Sequence, residues 1–186
     1  MGVLAAAASP WPFFTIGHST RPIAEFVDCL RESGVELLVD VRTVPRSRTN
    51  PQYNRDALPA TLDASGIGYV HEPALGGLRP RARDVAPDRN GYWQNASFHN
   101  YADYALSPAF GEGFAHLRGL GHARRCTVMC SEAVWWRCHR RIVADYLIVA
   151  GEDVVHILGR GKVEPATLTP GAVPARDGTV AYPSLL

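Results

Sequence analysis

Short apolar segments alternate along this chain with stretches whose apolar residues recur at helical spacing. The segments cover residues 13–16, 36–41, 68–71, 126–130 and 154–158. Strands that alternate with helices predict an α/β fold in which a mostly parallel sheet of about five strands carries helices on both faces. A chain of 186 residues suffices for one such domain. We therefore predict a single three-layer domain over residues 13–160, an N-terminal extension at 1–12 and a C-terminal tail at 161–186.

Four stretches carry the helical spacing, and polar residues stand where helix caps are expected. The predicted helices cover about residues 22–33, 54–65, 101–120 and 135–150. Thr20 and Asn54 are the predicted caps of the first two, and Ser107 caps the second piece of a helix that Pro108 interrupts. The segment 72–100 is rich in Gly, Pro and Arg, and its apolar residues recur at neither helix nor strand spacing. This composition predicts an irregular loop.

Polar and titratable residues stand at the ends of the predicted strands, whereas the strand interiors are apolar. In parallel α/β sheets, ligands bind outside the carboxyl ends of the strands. We therefore predict one binding or catalytic site at that edge. Its candidate residues are His18, Ser19, Asp40, Arg42, Arg46, Glu72, Cys130, Glu132, Cys138, His139 and Arg140.

Cys130 closes a predicted strand just before a predicted helix, and a helix N-terminus stabilises a thiolate. It is a candidate nucleophile, although a buried cysteine that packs as a small hydrophobe has the same signature. Glu132 opposes the thiolate if it lies close, since a like charge raises a thiol pKa. His18 is a candidate general base or acid, or a histidine bonded to loop backbone. Asp40 would orient His18 or pair with Arg42.

The other cysteines differ in what they can do. Cys138 could fold back over Cys130 to form a redox pair or to share a metal ion. Cys126 cannot form a disulfide with Cys130, because strand residues four apart lie about 13 Å from each other. Cys29 and Cys126 are predicted core residues. The spacing lacks the paired Cys-x2-Cys pattern of structural zinc, so we assign no metal ligand, and the sequence identifies no cofactor.

Arginines are the clearest indication of a partner. Arg42 and Arg46 are predicted to bind an anion, because a guanidinium fits phosphate and carboxylate. The segment 79–89 holds four more arginines, followed by aromatic residues that would either stack nucleobases or form a small core of their own. These aromatic residues are Tyr92, Trp93, Phe98 and Tyr101. With 19 basic and 18 acidic residues, the chain lacks an overall basic field for nucleic acid.

Five short motifs follow one another along residues 13–160. They are Gly17-His18-Ser19, Asp40-Val41-Arg42 with Pro45-Arg46-Ser47, Leu75-Gly76-Gly77, Met129-Cys130-Ser131-Glu132 and Cys138-His139-Arg140. This succession resembles the family named domain of unknown function 488. The resemblance implies a small cytosolic α/β protein of prokaryotic type, and the family's name assigns it no reaction.

Three functions are compatible with these features. The first is an enzyme, a cysteine-dependent hydrolase or a transferase of sulfur or another group, that acts on an anionic small molecule or nucleotide. The second is a nucleic-acid-binding module that uses the arginine-rich loops. The third is a metal-bound or thiol-based redox sensor. Four cysteines without a signal peptide predict a cytoplasmic protein with reduced thiols, and no apolar run is long enough to predict a membrane span.

Overall fold

A six-stranded sheet forms the centre of the protein in the computed structural model, which describes residues 7–185. Its strands are β1 (Phe13–Gly17), β2 (Leu37–Asp40), β3 (Gly68–His71), β4 (Cys126–Cys130), β5 (Val154–Gly159) and β6 (Lys162–Pro165). Their order across the sheet is β3-β2-β4-β1-β5-β6. The first five strands run parallel, and β6 pairs antiparallel with β5. The predicted α/β fold is confirmed, and β6 adds one strand to the five expected.

Helices cover both faces of this sheet. They are α1 (Ile23–Glu32), α2 (Leu58–Asp63), α3 (Ala96–Tyr104), α4 (Pro108–Ala123) and α5 (Arg140–Val149). Neighbouring strand residues point to opposite faces, so Ile16 packs with α1 and α2, whereas Val128 and Cys130 lie in the core beneath α3, α4 and α5. This alternation explains why the central strands have no polar face. None of the helices in residues 7–185 is long and apolar enough to cross a membrane.

Segments near both ends of the described residues pack on the domain. The predicted tail at 161–186 supplies β6, and its short hairpin β7 (Val173–Pro174) and β8 (Val180–Ala181) follows. Tyr182 is fully buried, and its hydroxyl donates to Asp145 at 2.8 Å. On the N-terminal side, Trp11 Nε1 donates to the carbonyl of Gly121 at 2.7 Å. The expected C-terminal tail therefore packs on the domain through these segments, and residues 1–6 and 186 lie outside the described residues.

One of the three predicted helix caps is found. Ser107 Oγ accepts the N–H of Phe110 at 3.3 Å at the start of α4. Thr20 does not cap α1, because Pro22 occupies that position without a side-chain bond. Asn54 instead accepts the N–H of Ser47 at 2.6 Å, and α2 begins only at Leu58.

The predicted helix over 135–150 is two separate pieces. A single 3-10 turn covers Trp135–Arg137, and α5 begins at Arg140. Cys138 lies between them with extended backbone, φ −122° and ψ 145°. The break places Cys138 ahead of the helix and turns it back toward the end of β4.

Candidate active site

A cavity of about 640 Å³ opens at the carboxyl ends of β1, β2 and β4. Eight of the eleven candidate residues line it, namely His18, Ser19, Arg42, Arg46, Cys130, Glu132, Cys138 and His139. Asp40 and Arg140 lie beneath the wall and contact lining residues. Glu72 lies elsewhere. Parallel pairing explains this convergence, since it brings the carboxyl ends of adjacent strands to one edge.

Two cysteine thiols meet at the cavity wall. The Sγ atoms of Cys130 and Cys138 lie 2.7 Å apart, and both side chains are buried. Both cysteines are free. The backbone N–H of Arg140, in the first turn of α5, points to Cys138 Sγ at 3.5 Å. The pair forms because β4 ends at Cys130 and the extended segment before α5 brings the chain back beside it.

A buried guanidinium supports the same sulfur. Arg140 is 1% exposed, and its Nη1 lies 3.3 Å from Cys130 Sγ while its Nη2 donates to the carbonyl of Ala133 at 3.1 Å. Gly17 is the direct strand neighbour of Cys130. A Cβ atom at Gly17 would lie 2.8 Å from Arg140 Nη1 and would overlap the carbonyl group of Glu132. Only glycine therefore lets the Glu132 loop and the guanidinium approach β1 this closely.

These contacts decide which sulfur carries the negative charge. Burial raises the pKa of the Cys130 thiol, but the hydrogen bond from Cys138 and the charge of Arg140 outweigh it and lower the pKa to about 7. Burial and the bond to Cys130 raise the pKa of Cys138 well above its usual value. Cys130 is therefore the sulfur that ionises first, about half of it near pH 7, and Cys138 is the thiol that donates to it.

His18 is held at both ring nitrogens. Its Nδ1 donates to the carbonyl of Ser19 at 2.8 Å, and its Nε2 accepts from Arg42 Nη1 at 3.3 Å. Its ring stacks on Tyr53 with centroids 4.3 Å apart. Burial, with the nearby Arg42 charge, lowers the pKa of His18 to about 4. The imidazole is neutral near pH 7 and both of its nitrogens have protein partners, and its role as a base or acid stays a prediction.

Asp40 pairs with Arg42 rather than with His18. Its carboxylate accepts from Arg42 Nε at 2.9 Å and Nη2 at 2.7 Å, and the Tyr69 hydroxyl donates to it at 2.6 Å. Arg42 Nη2 also donates to the carbonyl of Tyr53 at 2.6 Å. Of the two roles left open for Asp40, the pairing with Arg42 is the one observed. These contacts occupy most of the guanidinium's donors and leave one Nη1 hydrogen for a ligand.

Two further arginines stand at the cavity's rim. Arg46 and Arg137 are exposed and line the cavity, and neither side chain makes an ion pair or hydrogen bond within residues 7–185. Glu132 is the one acidic residue among the lining residues. Arg137 is not among the predicted site residues, and the structure adds it to the site.

An apolar lip was also missed from the sequence. Val44 and Leu78 line the cavity and are 63% and 88% exposed, with Phe98 beside them. Leu78 has a positive φ of 59°, which is uncommon for a branched side chain. The motif that ends at Gly77 marked this loop, but an isolated exposed leucine carries no sequence signal.

His139 forms another part of the cavity wall. Its ring packs against Tyr101 with centroids 4.9 Å apart, and Gly77 passes so close that an added Cβ would lie 3.0 Å from His139 Nδ1. Burial and the Arg140 charge lower the pKa of His139 to about 4. His139 is therefore a neutral wall residue near pH 7.

Glu72 is not brought to the site. Its carboxylate accepts the N–H of Ala74 at 3.3 Å and contacts His116 Nδ1 of α4 at 2.6 Å. It stands at the end of β3, the edge strand, where the chain enters the 3-10 turn Pro73–Leu75. The carboxylate thus fastens this turn to α4, away from the cavity.

The aromatic residues after the arginine loop belong to the core. Trp93 is buried and stacks on Phe98 at 4.8 Å, and Tyr101 is buried below them. Arg79 lies over the Tyr104 ring at 3.8 Å. Of the two arrangements left open for these rings, the small core is therefore the one observed, with Phe98 and Tyr101 also lining the cavity. Within residues 7–185, no group of three or more His, Cys, Asp or Glu side chains could hold a metal ion.

Comparison with known families gives one match. The family model described as Domain of unknown function DUF488 matches residues 22–147, about two thirds of the chain. No curated protein and no solved structure gives a significant match. The matched segment includes Arg42, Cys130 and Cys138, whereas His18 lies before it.

Proposed function

Because the chain belongs to the DUF488 family, whose description assigns no activity, we propose a function from the site itself. The protein is an enzyme that binds an anionic small molecule in the cavity and attacks it with the thiolate of Cys130. The arrangement of Cys130 carries this proposal. Its sulfur borders the cavity, with Arg140 Nη1 at 3.3 Å and Cys138 Sγ at 2.7 Å.

A thiolate in this setting suits nucleophilic catalysis. The most effective attacking thiol has a pKa near the ambient pH, because a lower pKa costs nucleophilicity and a higher one leaves too little thiolate. A Cys130 pKa of about 7 meets that condition. The fixed positions of Arg140 and Cys138 also hold the sulfur in place before a substrate arrives.

The charges around the cavity favour an anionic substrate. Arg46 and Arg137 line it without protein partners among residues 7–185, against the single lining carboxylate of Glu132, whereas the charge of Arg42 is paired with Asp40. Guanidinium groups without protein partners can form bidentate bonds with phosphate or carboxylate. The volume of about 640 Å³ lies within the range of small-molecule sites.

The pH dependence of alkylation tests the nucleophile. We expect the rate of Cys130 carboxamidomethylation by iodoacetamide to rise with pH through a single midpoint near 7, because His18 and His139, each with a pKa of about 4, do not titrate there. An ordinary thiol has its midpoint near ~8.5. Peptide mass spectrometry locates the label, and Cys130→Ser removes the fast phase. A midpoint at or above the ordinary value would reject the thiolate.

Charge selectivity tests the rim arginines. Iodoacetate and iodoacetamide differ mainly in charge, so the ratio of their rates at Cys130 reports the field of the cavity. We expect Arg46→Gln and Arg137→Gln each to lower this ratio by a few fold, as expected for ~1 kcal/mol of lost attraction. Arg81→Gln is the matched control, an exposed arginine outside the cavity lining. Equal ratios in all four proteins would contradict anion binding at the rim.

A thiol-based sensor is the second candidate, and the 2.7 Å between Cys130 and Cys138 sulfurs favours it. A sensor would form a disulfide between Cys130 and Cys138 under mild peroxide, and Cys130 would show no selectivity for anionic compounds. Mass spectrometry after peroxide treatment, set beside the iodoacetate ratio, separates the two functions. Disulfide formation with no charge selectivity would favour the sensor over the enzyme.

A further inference from the structure

We infer that Cys138 is a second catalytic thiol and that the atom attacked by Cys130 is a sulfur of an anionic disulfide. Cys138 would resolve the mixed disulfide that forms on Cys130. This inference rests on the proposed function, since it needs Cys130 as the first nucleophile. It adds the class of substrate and the fate of the covalent intermediate.

The contacts of Cys130 Sγ point to sulfur chemistry. The side chains that hydrogen-bond to it are Cys138 and Arg140. Hydrolysis of an acyl or phosphoryl group on Cys130 would need a base that directs water at the adduct. The imidazole of His18 has both nitrogens engaged, and the Glu132 group nearest Cys130 is its backbone carbonyl, at 3.9 Å. A neighbouring thiol, in contrast, is the group that attacks a disulfide.

Cys138 is positioned for that second attack. Its sulfur lies 2.7 Å from Cys130 Sγ, so it needs no approach to reach the about 3–3.5 Å of a near-attack arrangement. Burial and the bond to the Cys130 thiolate both raise the pKa of Cys138, and the second contribution ends once that thiolate is consumed. The N–H of Arg140 at 3.5 Å, in the first turn of the ten-residue helix α5, then favours negative charge on Cys138.

The two steps balance as thiol–disulfide exchange. The Cys130 thiolate attacks one sulfur of R–S–S–R′, so that a Cys130–S–S–R bond forms and R′–S⁻ leaves. The Cys138 sulfur then attacks Cys130 Sγ and loses its proton to the departing sulfur, which leaves as R–SH. The substrate gains two electrons, and the protein's dithiol becomes the Cys130–Cys138 disulfide. A dithiol reductant from outside restores both thiols.

The cavity wall indicates the kind of R group. Arg46 and Arg137 offer charges for a carboxylate, while Val44, Leu78 and Phe98 offer an apolar surface beside them. An exposed apolar patch next to a cationic rim fits a body that is part apolar and part anionic. The inferred substrate class is a disulfide of carboxylated thiols with an apolar or aromatic body.

A chromogenic disulfide of this class tests the inference. The reduced full-length protein is mixed with 5,5′-dithiobis(2-nitrobenzoate), and the released coloured thiolate is followed by stopped flow and the protein by mass spectrometry. We expect two successive releases from the wild type, ending in a Cys130–Cys138 disulfide without an adduct. Cys138→Ser and Cys138→Ala should release one equivalent from this site, slow the second by at least ~100-fold and keep the adduct on Cys130. Cys29→Ala, a change in the opposite core, should behave as the wild type.

The possible failures can be told apart. If Cys130 reacts neither with this reagent nor with iodoacetamide, the proposed nucleophile itself is wrong. If Cys130 reacts but the wild type keeps the adduct as Cys138→Ser does, the nucleophile stands and the resolving role of Cys138 is overturned. If neutral 4,4′-dithiodipyridine shows the same rates, and the same response to Arg46→Gln, the anionic class is overturned. If the wild type prefers the carboxylated reagent and Arg46→Gln loses this preference, the result supports an anionic substrate.

Discussion

Replacing Arg140 by methionine is expected to slow Cys130 alkylation at pH 7 by ~3-fold or more, because the thiolate fraction falls by more than ~10-fold as the pKa moves from about 7 to ~8.5 or above, and the greater nucleophilicity of the higher-pKa thiolate offsets only part of that loss. The guanidinium Nη1 lies 3.3 Å from the sulfur and supplies the positive charge that counters burial. Methionine has similar length and no charge. The measurement is the full pH profile of the alkylation rate, whose midpoint should move upward.

Two controls separate this effect from misfolding. Arg140→Lys keeps the positive charge and should retain most of the lowered pKa. In Arg140→Met, the rate at high pH should reach or exceed the wild-type plateau, because a thiolate of higher pKa is the stronger nucleophile once it is fully ionised. An unchanged midpoint near pH 7 in Arg140→Met would show that Arg140 does not hold the thiolate.

Gly17→Ala is expected to lower the free energy of unfolding by ~3 kcal/mol or more, at the upper end of what an overpacked core costs. The added Cβ would overlap the carbonyl group of Glu132 and press on Arg140 Nη1. Either the Glu132 loop or β1 must move. Because the same displacement draws the guanidinium from Cys130, the pKa of Cys130 should rise together with the loss of stability. Urea unfolding and the alkylation profile measure the two effects.

Gly119→Ala is the matched control for this change. Gly119 is exposed on α4, and an added Cβ meets nothing within 4 Å. Alanine there should stabilise the protein by up to ~1 kcal/mol through helix propensity. If Gly17→Ala unfolds at the same urea concentration as the wild type, the close approach at Gly17 does not contribute to stability.

The sheet could be predicted because its strands are buried on both faces. Each of the five parallel strands is a short apolar run with a stop signal after it, and that pattern needs no knowledge of contacts. β6 was not predicted because its side chains are mostly exposed, and its residues therefore show no apolar periodicity. Its only signal was the turn Arg160-Gly161, where Gly161 has a φ of 64°. The pairing with β5 comes from the backbone and leaves little trace in residue type.

The location of the site could be predicted from the sequence, whereas most of its side-chain contacts could not. Strand ends gave the edge where His18 and Cys130 meet, but strand order decides which side chains touch. The break before α5 had no glycine or proline to announce it, and Cys138 was therefore placed inside a helix. The burial of Arg140, which sets the charge of Cys130, is a tertiary contact without a local pattern.

β4 joins the two halves of the sheet. On one side of it lie β2 and β3, and on the other lie β1, β5 and β6. β2 can pair with β3 once the chain extends to His71, whereas β1 pairs with β4 and β5 and therefore waits for a segment that begins at Cys126. Closing such a long loop slows folding. β4 also carries the reactive sulfur, so the environment of Cys130 is assembled only when β4 joins the two halves, and a nascent chain that ends before β4 has neither the joined sheet nor the sulfur.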